Sequence, residues 1–449
     1  MRVEYPQNPQ NEVKYTYGSI NNPLATTERA VGRLLIQEDA TGMQLFGYGR
    51  MGEMTKNLRS VAVANYQSYW FLTQWKYDSW NRVQEIVYPD QETVFYNYNK
   101  AGAIQGMSSQ MTNIGGGGLQ PIISSITYND YGERASITHG GGTTSIATTT
   151  NYSYDARRRM NTLAHAFTNF SISKGYTYDA LSNITDIITN SPQLSLPASG
   201  KIGGPIRHHY DYDTYNRLTH ADGTYTGAND LTTPYLRTTY SLDMEYNTDH
   251  TIKKKTQLQQ QGYVNAFADT QINDLRPVKR TSYILDYGGY GSEALTTGDY
   301  GYLQPHAPRT IIEKPSWVAS PAADDPRIKQ REIFYDKNGN QTEIKEKVGE
   351  LEISLRKNLW DEENRLKAVN LKPDDPSAHP IAIYTYDAGG ERTVRYNYDR
   401  IDVSSNATEV GQAWKDNVMI YPSGLIMGKP TRFGREGNTL VYTDRKSVV

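Results

Sequence analysis

The sequence contains no cysteine. That excludes disulfides and thiolate metal sites, and it suits a reducing cytosol as well as a secreted bacterial protein that folds without bridges. No run approaches the ~18 apolar residues of a membrane span, and the opening Met1-Arg2-Val3-Glu4-Tyr5-Pro6 lacks the apolar stretch of a signal peptide. Insertion of this segment into a membrane is therefore not expected, and any export signal must lie elsewhere. Neither sign of charge dominates: 47 Lys and Arg stand against 49 Asp and Glu, a formal net charge of -2, with no basic block. Nucleic acid is thereby set aside as a partner. Phenylalanine is scarce, with 8 copies, and hydrophobic residues make up 37% of 449 positions, below the usual about 45–50%.

Tyrosine fills the gap, with 36 copies. It favours strands, and its ring buries roughly 150–250 Å² while the hydroxyl finds water or a partner. The low charge content of 21% argues for a folded chain rather than a disordered one. An all-β fold follows as the expectation.

An aromatic, a spacer, an aromatic and then Asp or Asn recur along nearly the whole chain. The full copies are Tyr96-Asn97-Tyr98-Asn99, Tyr152-Ser153-Tyr154-Asp155, Tyr176-Thr177-Tyr178-Asp179, Tyr210-Asp211-Tyr212-Asp213, Tyr384-Thr385-Tyr386-Asp387 and Tyr396-Asn397-Tyr398-Asp399. Looser copies are Trp75-Lys76-Tyr77-Asp78, Ile126-Thr127-Tyr128-Asn129, Met244-Glu245-Tyr246-Asn247, Ile333-Phe334-Tyr335-Asp336 and Leu359-Trp360-Asp361. An arginine often follows five or six positions after the key aromatic, at Arg82, Arg134, Arg217, Arg365 and Arg392. Copies recur every 21 to 34 residues or so, one or two hairpins apiece.

Each position has a physical reason. Residues i and i+2 of a strand share a face, so the two aromatics form a rib on one side of a sheet. The Asp or Asn accepts from backbone N–H groups two residues on, and Gly132, Asn216, Gly339 or Gly389 supplies the positive φ that closes a hairpin. The arginine opens the return strand and can cover a tyrosine ring or reach the turn carboxylate. One hairpin is marginal in water, so stability must come from stacking neighbours.

This unit resembles the YD repeat of RHS proteins, of the B and C components of bacterial insecticidal toxin complexes, and of the teneurin YD shell. The resemblance covers residues 1–443, and is weakest over about 250–330. It implies a spiral of antiparallel hairpins forming part of a hollow shell that sequesters or presents a C-terminal toxin, in a secreted or cell-surface parent protein. The implied partners are the rest of that parent, its cargo and other toxin-complex subunits. Members close the shell with an RHS core carrying an Asp-Pro-x-Gly-type motif, which nothing here matches; Asp374-Asp375-Pro376-Ser377 reads as a loop. Both ends read as cut, and 444–449 reads as translated sequencing adapter.

Other signals are weaker. Gly115 to Gly118 lack the Gly-Lys-Ser/Thr of a phosphate loop and read as a hairpin tip. Asp336 to Asn340 resemble the start of a calcium loop, but the glycine is two positions early and no glutamate follows at position twelve. His208 and His209 point to opposite faces and cannot share a metal. The pairs Glu362 and Glu363, or Asp374 and Asp375, read as turn charge rather than glycosidase carboxylates. No catalytic residue, cofactor or metal is assigned. A proline- and glycine-rich stretch at about 287–330 reads as a long loop or insert, and 191–205 as a shorter excursion. The competing function is glycan or partner binding by exposed tyrosine ribs.

Overall fold

The computed structural model describes residues 1–6, 9–62, 68–111, 118–140, 148–192, 194–196, 200–227, 235–264, 273–290, 306–322, 325–348, 351–371, 380–397, 418–420, 431–436 and 439–442. Gly115–Gly117, Asp374–Ser377, Tyr398, Asp399 and 443–449 lie outside the described residues. Strands take 63% of the chain and helix 3%. The chain is all-β: one long, unclosed antiparallel sheet in which most strands pair with the one before and the one after.

Because the sheet is a meander, its connections alternate between two edges of a ribbon. One edge carries the repeat turns, from Gly49–Glu53 through Asp78–Arg82 and Asp155–Arg159 to Asp387–Glu391. The other carries turns of varied length, such as Pro89–Gln91 between the strands Val83–Val87 and Glu92–Tyr98. We call these the corner edge and the loop edge.

Among the described residues the meander is interrupted in two places: Asn273–Pro277 and Tyr283–Gly288 both pair with Ile252–Val264 rather than with each other, and a small hairpin stands apart near residue 200. Leu194–Leu196 and Gly200–Ile202 pair with each other in a separate two-stranded sheet within 191–205. The stretch 287–330 is not one long loop: Thr310–Pro315 is a strand hydrogen-bonded to Tyr283–Gly288 on one side and Lys329–Tyr335 on the other. Pro315 ends that strand, where a missing N–H costs little. A short helix, Pro23–Thr27, is capped by Asn22, whose side chain accepts from the Leu24 N–H at 3.0 Å. It covers a small core of Ala25, Ala30, Leu35 and Leu45.

A second core joins distant parts of the sequence. Val61 and Phe71 pack with Val394 and Ile420, flanked by Tyr69 and Tyr396. The ribbon therefore curls until its late strands meet its early ones.

Candidate functional site

The structural unit of this chain is its corner. At Asp155 the backbone N–H donates to the Arg159 carbonyl at 2.9 Å and the Arg158 N–H returns to the Asp155 carbonyl at 2.9 Å. Oδ1 of Asp155 accepts from the N–H groups of Arg157 and Arg159, both at 2.9 Å, and Oδ2 accepts from Arg159 Nε at 2.7 Å. The same carboxylate-to-Nε contact, 2.7 Å, recurs at Asp78 with Arg82, Asp213 with Arg217 and Asp361 with Arg365. Asn183 and Asn340 replace the arginine at Asp179 and Asp336, donating from Nδ2 at 2.8 and 2.9 Å. At Asn129 the chemistry reverses: its Nδ2 donates to Glu133 at 2.7 Å. These bonds hold the Asp78, Asp155 and Asp179 carboxyls below their ordinary range, chiefly through the side-chain donors of Arg82, Arg159 and Asn183.

The fourth corner residue is left-handed throughout, with φ of 59° at Asn81, 78° at Gly132, 64° at Arg158, 61° at Asn216, 86° at Gly339 and 60° at Asn364. In the Asp387 corner this residue is Gly390, φ 82°, and not Gly389 as the motif alone indicates. Gly389 instead donates its N–H to Asp387 Oδ1 at 2.9 Å.

In the described copies the second aromatic bonds back to an earlier turn, in all but one of them to the residue that follows the preceding corner. Tyr77 Oη donates to the Met54 carbonyl at 2.8 Å, Tyr98 to Val83 at 2.5 Å, Tyr128 to Ile104 at 2.6 Å, and Tyr154 to Arg134 at 3.0 Å. The series continues with Tyr178 to Met160, Tyr212 to Ile184, Tyr246 to Leu218 and Tyr386 to Leu366, at 2.6, 3.0, 2.8 and 2.7 Å. Trp360 does the same with its indole N–H, to Gln341 at 2.8 Å, and Tyr335 reaches Pro308 at 3.0 Å. Apart from Pro308, these acceptors are the first residues after a corner. A β-bulge immediately before each of these aromatics accompanies the arrangement, as between Thr177 and Tyr178 or Thr385 and Tyr386.

Arginine completes the link. The guanidinium that binds its own corner aspartate also lies over the ring of the next stapling tyrosine: Arg82 over Tyr98 at 4.3 Å, Arg159 over Tyr178 at 4.3 Å, Arg217 over Tyr246 at 4.5 Å and Arg365 over Tyr386 at 5.2 Å. For these rings the covering neighbour is a cation rather than a stacked tyrosine rib. Arg134 and Arg392 sit one residue further along than the corner arginines and lie over first aromatics instead, Tyr152 and Tyr384, both at 5.3 Å. The first aromatics Tyr96, Tyr176 and Tyr210 are half-buried on the same strands, and burial raises the hydroxyl pKa of Tyr96 and Tyr210.

Sequence reasoning missed a second site, the seam where late corners meet early turns. Tyr5 Oη donates to Glu363, Asn11 Nδ2 donates to Glu362 at 3.4 Å, and the Ala388 N–H donates to Asp39 Oδ2 at 3.2 Å. These partners are 358, 351 and 349 residues apart. Beneath them Asp39 and Arg59 form a buried ion pair at 3.3 Å, and Thr41 bonds both. Asp387 faces this pair with no arginine at its own corner; burial raises its carboxyl above the ordinary range, Arg59 opposing and Asp39 adding to the rise. No local motif announces Asp39 or Arg59, because their partners come from the far end of the chain.

The remaining candidate residues do not converge. His208 Nδ1 bonds Tyr240 Oη at 2.8 Å on one face while His209 pairs with Asp186 at 3.1 Å on the other. Among the described residues, no group of three or more His, Cys, Asp or Glu is placed to hold a metal ion. No helix among them is long and apolar enough to cross a membrane.

Compared by sequence, the chain matches no family model and none of the curated proteins. Compared by structure, it aligns over 95% of its length with the TcdB2-TccC3 complex, at a TM-score of 0.64 and 15% identity. The Photorhabdus luminescens Tc holotoxin pore gives 0.65 and 15%, again over 95% of this chain. The fold is that of a YD-repeat shell. The present chain spans only 19% and 18% of those two matched chains.

Proposed function

We propose that this chain is a wall segment of a bacterial RHS-type shell, and that the parent protein encloses or presents a C-terminal toxin outside the cell that makes it. Residues 1–443 act as a single wall, with no catalytic group of their own. The observation that carries this is the seam: a ribbon whose corners meet its own opening turns after about 350 residues curves round a space rather than lying flat. Likeness to toxin-complex components supports the same reading. The corner carboxylates support it too, being occupied by backbone N–H groups and guanidinium. Covered rings and bonded hydroxyls at Tyr98, Tyr178 and Tyr246 favour scaffolding over sugar recognition.

The test is cryo-electron microscopy of the longer protein that carries this segment, with limited proteolysis beside it. The expected result is a curved wall around a cavity, with downstream polypeptide protected until the wall is unfolded. An open plate with both faces in solvent, or equal cleavage of the downstream segment before and after unfolding, overturns the proposal.

A further inference from the structure

The seam shows how one winding of this ribbon sits on another. Glu362 and Glu363, the second and third residues of one corner, touch Tyr5 and Asn11 of a loop-edge turn, and Ala388, second in the next corner, touches Asp39 of the neighbouring loop-edge turn. The contact is corner edge upon loop edge, and it is made by the tips of the corners.

The same third tip position in earlier corners is occupied quite differently. From the Asp78 corner to the Asp213 corner it is Trp80, Ala101, Tyr131, Arg157, Leu181 and Tyr215, and the four large apolar tips, Trp80, Tyr131, Leu181 and Tyr215, are 68%, 71%, 68% and 67% exposed. Four of these six consecutive corners of one edge thus hold a large apolar side chain out in water. The aromatic ones are also fixed in place. An arginine lies over one face of each ring, Arg82 at 4.9 Å from Trp80, Arg158 at 5.0 Å from Tyr131 and Arg217 at 5.2 Å from Tyr215. Neighbouring corners are linked as well: Arg157 donates to Ala180 O at 2.8 Å, Asn183 Nδ2 to Asn216 Oδ1 at 2.8 Å, and Arg217 Nη1 contacts His250 Nδ1 at 3.0 Å. Ordered Trp, Tyr and Arg side chains bind at low entropic cost and dominate interface energies.

We propose that this row is a docking edge whose occupant is the loop edge of another winding of the same kind of ribbon, supplied in a solution of this chain by a second copy. The inference rests on the wall reading, but needs neither a cavity nor a cargo, so the two can fail separately. Corner edge on loop edge is a head-to-tail contact, and each added copy presents its own corner row again. Such contacts do not close at two copies. The association therefore grows past the dimer.

Sedimentation velocity of the full chain over a wide concentration range tests this. Expected is a weight-average mass that climbs beyond two copies, with the triple variant Trp80→Ser, Tyr131→Ser, Tyr215→Ser associating about tenfold or more weakly at unchanged far-ultraviolet circular dichroism. Ile188→Ser, which removes an exposed apolar side chain from mid-strand, leaves association unchanged. Hydrogen exchange on the unmutated chain reads the same edge without a variant: amides of 78–82, 129–133 and 213–217 slow as concentration rises. A monomer at all concentrations, a closed dimer, equal association of the triple variant, equal loss with Ile188→Ser, or exchange at these corners that ignores concentration overturns the proposal.

Discussion

Tyr178 reaches back across a hairpin to the carbonyl of Met160, 2.6 Å away, while the guanidinium of Arg159, the residue just before Met160, covers its ring. One side chain thus answers to two consecutive residues of the corner before it. Removing only its hydroxyl separates the two contributions. Tyr178→Phe keeps the ring under Arg159 and leaves the Met160 carbonyl without its donor, so the expected cost is about 1 kcal/mol. Urea unfolding should register it, and hydrogen exchange should localise it to the 155–159 and 179–183 corners. An unchanged midpoint counts against stapling as a source of stability.

Gly132 offers a cleaner probe of the corner backbone. Its φ is 78°, and a Cβ built there meets nothing within 4 Å. Gly132→Ala therefore tests conformation without a clash. The expected loss is about 1–2 kcal/mol, the cost of a left-handed L-residue, measured by chemical denaturation. A loss near zero would mean that the hydrogen bonds of Asn129 set the turn regardless of residue type.

The seam holds a fully buried ion pair, whereas corner pairs such as Arg82 with Asp78 are partly exposed. Arg59→Met leaves Asp39 buried without its cation, and such uncompensated burial costs about 3–5 kcal/mol. Native-state hydrogen exchange should accelerate in Leu34–Asp39, Met54–Val61 and Arg392–Asn397 together, while Thr148–Tyr154 and Met160–Ala166 keep their protection. Uniform acceleration over all of these strands would show that the seam has no stability separate from the ribbon.

Acid acts on corner and seam with opposite signs. Asp78, Asp155 and Asp179 have folded-state values below the ordinary 3.8, so the stability they contribute is present above that value and lost as pH falls through it toward the folded value. Asp387 is raised by burial, so folding favours its neutral form, and the ionised form weakens the seam increasingly as pH rises from 3.8 through the raised value. Asp387→Asn should then raise the thermal midpoint at pH 7 and change it little at pH 3. A destabilising effect at neutral pH would place the attraction of Arg59 above the burial cost.

The corner was legible in the sequence because everything it uses lies within a few residues. Asp155, Arg158 and Arg159 are near neighbours, and the spacing of Tyr152 and Tyr154 is the pleat itself. Two details escaped for local reasons: consecutive glycines hid which of Gly389 and Gly390 turns left-handed, and the prolines around Thr310–Pro315 masked a strand that ends where proline is tolerated. The seam escaped altogether. Asp39 and Arg59 look like ordinary strand residues, and only a chain already wound through about 350 residues brings Asp387 and Ala388 to them.

The stapling bonds of Tyr77, Tyr98, Tyr128, Tyr154, Tyr178, Tyr212, Tyr246 and Tyr386 all run toward earlier residues. A chain leaving the ribosome therefore has each acceptor in hand before its donor is translated, and every new hairpin can be clamped to one already made. Growth is one-way, like laying bricks on a finished course, and only the last few corners must wait for the turn of the ribbon to bring them home.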